Sequence, residues 1–147
     1  MATPDSAPGP RPVHESEFHR VERHEGFLKM VRSAEPYPDL AAVDREYRTL
    51  VAALSLYKGR EMGLLVDLRE AKGRNDPGFE ETLVRWRRKS LEGHEPLVVL
   101  VKSALGQMHV ERHMKADGLP AVVTTEVSAA LHAVGGRVSG VMRQDLP

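Results

Sequence analysis

From Phe18 onward, apolar positions recur with a regular period, and turn residues cut the pattern into short elements. Phe18–His24 and Phe27–Arg32 are two such stretches, parted by Glu25-Gly26, so a hairpin of two strands is expected. Glu35, Pro36, Tyr37 and Pro38 break the chain, and Asp39 is placed to cap a helix. Leu40, Val43, Tyr47, Leu50, Leu54 and Tyr57 then recur at spacings of three and four, one apolar stripe on a long helix that Lys58 and Gly59 close. Met62–Leu68 is a continuous apolar run ending in an acid, the pattern of a strand buried on both faces. After a loop over Glu70–Arg74, Asn75 and Asp76 offer capping side chains and Pro77 suits a first helical turn. Phe79, Leu83, Trp86 and Ser90 share one side of the helix that follows, which ends near Gly93. Pro96–Val101 predicts a further buried strand, Ala104–Asp117 a helix stopped by Gly118, and Ala121–Thr125 another strand. Val127–Val134 predicts a last short helix, ended by Gly135 and Gly136.

Strands of buried type alternate with helices through the second half, which predicts parallel pairing through right-handed crossovers. The expected fold is a single α/β domain with a mixed, mostly parallel sheet of about five strands and about four helices. Residues 1–13 hold four of the ten prolines with Gly, Ser and Ala, and are read as a disordered Pro-rich tail. The domain is placed at 14–136, with a C-terminal tail over 137–147.

Composition narrows the functional classes. The 147 residues are 41% hydrophobic and 29% charged, which suits one soluble globular domain. There is no cysteine, so disulfides, thiolate metal sites and a cysteine nucleophile are excluded. Lys+Arg and Asp+Glu both number 21, and that neutrality argues against a domain that binds nucleic acid through phosphates. The N-terminus lacks the basic-then-apolar pattern of a signal peptide, and the longest apolar runs are too short to span a bilayer. A cytoplasmic location is expected.

Leu65–Phe79 reads LVDLREAKGRNDPGF. This segment resembles the central signature of STAS domains, the anti-sigma-factor antagonist family, in which a strand ends in apolar-Asp-Leu and Asp-Ser-Ser-Gly-apolar opens a helix. Val66, Asp67 and Leu68 match the strand end, and Asn75 to Phe79 fall on the turn without a gap. The element order is also similar over roughly Phe18–Val134, and to the broader bacterial set grouped as STAS- and SEC14-like. In phosphorylated members a serine of that turn accepts phosphate from a kinase. Here Asp76 and Pro77 stand at the serine positions, and no hydroxyl occurs between Arg69 and Glu81. A phosphoserine would bring nearly two negative charges to the helix start; Asp76 places one there permanently. Asp76 also reads simply as an N-cap ahead of a helix-starting proline.

Other constellations carry less. His109 and His113 sit four apart on one helical face, a spacing that can chelate, but Val110 stands where a zinc-protease motif needs Glu and no third ligand is nearby. No metal and no cofactor is expected. Ser103 has no G-x-S-x-G turn around it, and Asp67 with Glu70 is more simply a strand end bonding loop amides. Arg85, Arg87, Arg88 and Lys89 surround Trp86, either as a basic ridge for an acidic partner or as the wet side of a helix whose Trp faces the core. Lys72 to Gly78 places cations and glycines before a helix N-terminus, where a partner or small anion could be held.

The reading is therefore a noncatalytic STAS-like interaction module, a cytoplasmic regulator or adaptor. Its partner would meet Lys72, Arg74, Asn75, Asp76, Pro77 and Gly78, with Arg85 and Arg88 on the following helix. The alternative is a SEC14-like carrier of a lipid or other small apolar ligand. The expected partner is another protein, with a small anionic or lipid ligand or a homo-oligomer as further options, and neither nucleic acid nor a membrane-spanning state.

Overall fold

A computed structural model describes residues 9–60, 62–72 and 77–135. Six strands form one sheet in the order β1-β2-β3-β4-β5-β6, which is also their order in the chain. β1 (Arg11–Glu15), β2 (His19–His24) and β3 (Phe27–Arg32) form an antiparallel meander. The β2–β3 turn lies at Glu25 and Gly26, where Gly26 takes φ +88°, a conformation that glycine adopts without steric cost. From β3 on, each strand is parallel to the last: β4 is Gly63–Asp67, β5 Leu97–Leu100 and β6 Ala121–Thr124. The crossovers are α1 (Leu40–Ser55), α2 (Pro77–Leu91) and α3 (Ala104–Ala116), and α4 (Val127–Gly135) follows β6. The expected α/β class and four helices are present, and none of the described helices is long and apolar enough to cross a membrane.

Each crossover moves one strand further in the same direction. A right-handed crossover repeated this way puts every helix on one face, so α1, α2 and α3 share a side. Their core joins Val43, Leu50 and Leu54 of α1, Phe79 and Leu91 of α2 and Met114 of α3 to Leu64, Val66, Leu97, Val99 and Val123 of the strands. The alternate residues Leu65, Val98 and Leu100 point to the opposite face, where Ala130 and Val134 of α4 cover them. Two buried faces explain why β4 and β5 read as unbroken apolar runs rather than as alternation.

Local signals set the helix ends. Asp39 accepts from Ala42 N–H at 2.8 Å and caps α1, and Gly93 and Gly118, both at positive φ, follow α2 and α3.

One boundary is corrected. The strand β1 begins at Arg11, so Arg11, Pro12 and Val13, read above as part of the disordered tail, belong to the sheet, and it is this strand that makes six rather than about five. Val13 packs on the core and His14 is buried. The ordering comes from pairing with β2 and from contacts 30 or so residues away (His14 with Glu46), which the composition of the segment does not register. Residues 1–8 and the C-terminal segment 137–147 lie outside the described residues.

Candidate functional site

The end of β4 carries the anchor of the nominated loop. Asp67 is buried and accepts from the backbone N–H of Arg69 (3.0 Å) and from its guanidinium through Nε (3.0 Å) and Nη2 (2.8 Å). Burial alone would raise the Asp67 carboxyl, but the hydrogen bonds and charge of Arg69 outweigh it and hold the group below its ordinary value. Asp67 is thus an ionised strand end that fixes the first loop residues, and Glu70 beside it is exposed. Lys72 is exposed beyond them. Arg74, Asn75 and Asp76 lie outside the described residues. Pro77 opens α2, and Gly78 is exposed in its first turn.

Arg85 and Arg88 are exposed on the outer side of α2. With Lys89 and Glu92 they line a shallow hollow of about 400 Å³. Arg88 approaches Glu92 at 3.9 Å, while Arg85 has no ion pair among the described residues. At 1.5 Å per residue, Gly78 and Arg88 are about 15 Å apart along the axis. Of the nominated residues on α2, Gly78 therefore stands apart from Arg85 and Arg88. Trp86, between the cations in sequence, faces inward: it stacks on Tyr47 with ring centroids 6.0 Å apart and donates Nε1–H to Asp44 at 2.9 Å.

The remaining candidates resolve structurally. Ser103 caps α3, its hydroxyl oxygen accepting from Gly106 N–H at 3.1 Å. His109 and His113 are exposed on α3, and His113 lies 3.9 Å from Glu80. No group of three or more metal-binding side chains converges among the described residues. On the far side of α3 an open groove of about 410 Å³ runs beside β6, lined by Met114, Leu119, Pro120 and Ala121 with Glu111 and Lys115.

The sequence reading missed a buried polar cluster. Glu46 lies on the inner stripe of α1, one turn from Val43 and Leu50, and its Oε2 accepts from three groups of β1, β2 and the turn between them. These are His19 Nδ1 (2.7 Å), Ser16 Oγ (2.7 Å) and His14 Nε2 (3.0 Å). Burial pushes the Glu46 carboxyl up, yet these donors overcome it and hold it at about 2. His19 is depressed, chiefly by burial and against the pull of Glu46, so it meets the carboxylate as a neutral imidazole. His19 donates through Nδ1–H and His14 through Nε2–H, since a carboxylate only accepts. Ser16 Oγ also accepts from the N–H of Phe18 and of His19, each at 3.1 Å. Its proton goes to the carboxylate and not to an imidazole, so the trio lacks the nucleophile–base relay of a hydrolase and works as an anchor between α1 and the meander. The legible signal was a carboxylate on an apolar stripe.

No family model, no curated protein and no solved structure matches this chain. The functional reading therefore rests on the residues.

A third buried histidine has no such partners among the described residues. His94, just before β5, is 5% exposed, and neither ring nitrogen has a hydrogen-bond partner among the described residues. Burial, with the nearby charge of Lys58, depresses it to about 4.

Proposed function

We propose that the chain is a noncatalytic, STAS-like interaction module that regulates or recruits another protein through the outer face of α2 and the loop ahead of it. The observation that carries this reading is the cationic face itself. Arg85, Arg88 and Lys89 stand exposed around a shallow hollow, with Glu92 as the acid among its lining residues and Arg85 unpaired among the described residues. On a molecule whose formal net charge is zero, such a patch is a local field that attracts an acidic surface and speeds its docking. The sheet wound in one direction, with Asp67 closing β4 and α2 opening after the loop, is consistent with the resemblance noted in the sequence. In the absence of a hydroxyl between Arg69 and Glu81, the module would dock without a phosphorylation switch in that turn.

The partner is to be identified by affinity capture with the full chain and mass spectrometry, and its binding then measured against Arg85→Glu/Arg88→Glu. This double variant is expected to weaken binding by about tenfold or more, with a reduced salt dependence and an unchanged melting temperature. Wild-type affinity in that variant and in Lys72→Ala/Arg74→Ala would sink the reading. A co-purified amphiphile in native mass spectrometry would instead favour the carrier.

A further inference from the structure

The sheet has two edges, and they are built differently. β1 carries Arg11, Pro12 and Glu15 and a break in register between Pro12 and His14. Charge, proline and irregularity are the devices that stop an edge strand from pairing with another chain. β6 has none of them: Ala121–Thr124 is uncharged, free of proline and in regular register with β5.

Backbone direction follows from one bond. Val101 N–H donates to the Thr124 carbonyl (2.9 Å), so Thr124 and, two residues back, Val122 turn their backbone groups to β5. Ala121 and Val123 then face outward. Gln107 Nε2 indeed reaches the Val123 carbonyl from outside, at 3.0 Å. β6 pairs with β5 alone in the sheet, so the N–H of Val123 and both backbone groups of Ala121 lie outside the ladder. The helices that touch this strand also carry exposed apolar surface. Of the seven large hydrophobic residues exposed among the described ones, five are on α3, β6 and α4: Leu105, Met108, Val122, Val127 and Leu131. The groove between α3 and β6 adds Met114 and Leu119.

We propose that β6 pairs with β6 of a second copy of this chain, antiparallel across a two-fold axis at Val122, so that two six-stranded sheets become one. Unpaired backbone groups on an uncharged edge call for an extended strand, and a two-fold makes each half supply what the other lacks. Ala121 exchanges hydrogen bonds with Val123 of the copy and Val123 with its Ala121, a hydrogen-bonded pair on either side of the axis, with the copy's Ala121 N–H taking the place of Gln107 Nε2 on the Val123 carbonyl. Val122, 51% exposed here, meets its own copy in the non-hydrogen-bonded position, where side chains approach most closely. Charge is compatible with a second copy. The groove rim holds one acid and one base, Glu111 and Lys115, in reversed order on the copy, and the neutral chain does not repel itself.

The test is sedimentation velocity of the full chain from low to high micromolar concentration, with Val122→Lys, Val122→Glu and their equimolar mixture. Wild type is expected to reach twice the 16.3 kDa chain mass. Each variant alone, with like charges opposed at the axis, should weaken the dimer by about tenfold or more. The mixture should recover it, because Lys then faces Glu. Independently of any substitution, the Val123 amide should exchange more slowly with solvent as concentration rises. A wild-type monomer throughout the range, an unweakened Val122→Lys dimer, a mixture that fails to recover, or concentration-independent exchange at Val123 each overturns the proposal. A monomer would leave the edge to a strand of a different protein or to residues 136–147.

Discussion

Glu46 and His94 show two ways in which one buried polar residue is accommodated. Glu46 keeps its charge because three donors converge on one oxygen, whereas His94 loses its charge because nothing does. Both make the fold sensitive to acid, in different windows. A histidine depressed in the folded state binds its proton more readily when unfolded, so stability falls as pH drops from 6.5 toward the folded value of about 4. For His94 that difference is on the order of 3 kcal/mol by the lower limit. His19, also depressed, acts in the same direction. Glu46 contributes stability above its ordinary value of 4.5, and that contribution is lost as pH falls toward about 2. His94→Leu, which removes two unpartnered nitrogens at similar volume, should cost nothing at pH 7 and flatten the decline between pH 6.5 and 4. Urea unfolding at a series of pH values would decide this, and an unchanged decline would mean that another group carries it.

At the scale of elements, α4 is held against the sheet by a close approach at Gly63. A Cβ built there would lie 2.7 Å from the Val134 carbonyl oxygen, 2.9 Å from its Cγ2 and 3.1 Å from Pro96 Cδ. The first of these is backbone and cannot swing aside, so only glycine lets the C-terminal end of α4 close over the start of β4. Gly63→Ala should therefore destabilise by about 1–3 kcal/mol, although alanine at an unhindered glycine would stabilise the chain. Thermal melts with near-ultraviolet circular dichroism would show the loss, and an unshifted midpoint would count against this packing of α4. The helices themselves were legible, since their ends depend on neighbours in sequence: Asp39 caps α1 and Gly118 stops α3. Gly63, within a five-residue strand, gave no hint of the helix that would lie on it.

At the scale of the molecule, the meander and the parallel half are tied together by β1 and the Glu46 cluster, a bond between residues about 30 positions apart. Comparing two truncations should expose this link. Removal of residues 1–10 leaves β1 whole, whereas removal of residues 1–15 takes the strand and the His14 donor. The second should lower stability by at least about 2 kcal/mol relative to the first, the cost of a lost buried partner and lost apolar cover. Equal denaturation midpoints would show that β1 is an ornament of the sheet.

Period, caps and turn residues act over a few positions, and for that reason the hairpin, three parallel strands, four helices and α/β class were readable in the sequence alone. The apolar runs at Met62–Leu68 and Pro96–Val101 announced burial on both faces without saying what would cover each. Tertiary structure decided the order of the strands, the placing of α4 opposite α1–α3, and the ordering of the proline-containing segment at Arg11–Val13. It also decided that His14, Ser16 and His19 meet Glu46, and that one sheet edge is left undefended. Each of these depends on which distant surfaces meet, and burial and hydrogen-bond pairing are properties of that meeting rather than of any stretch of chain.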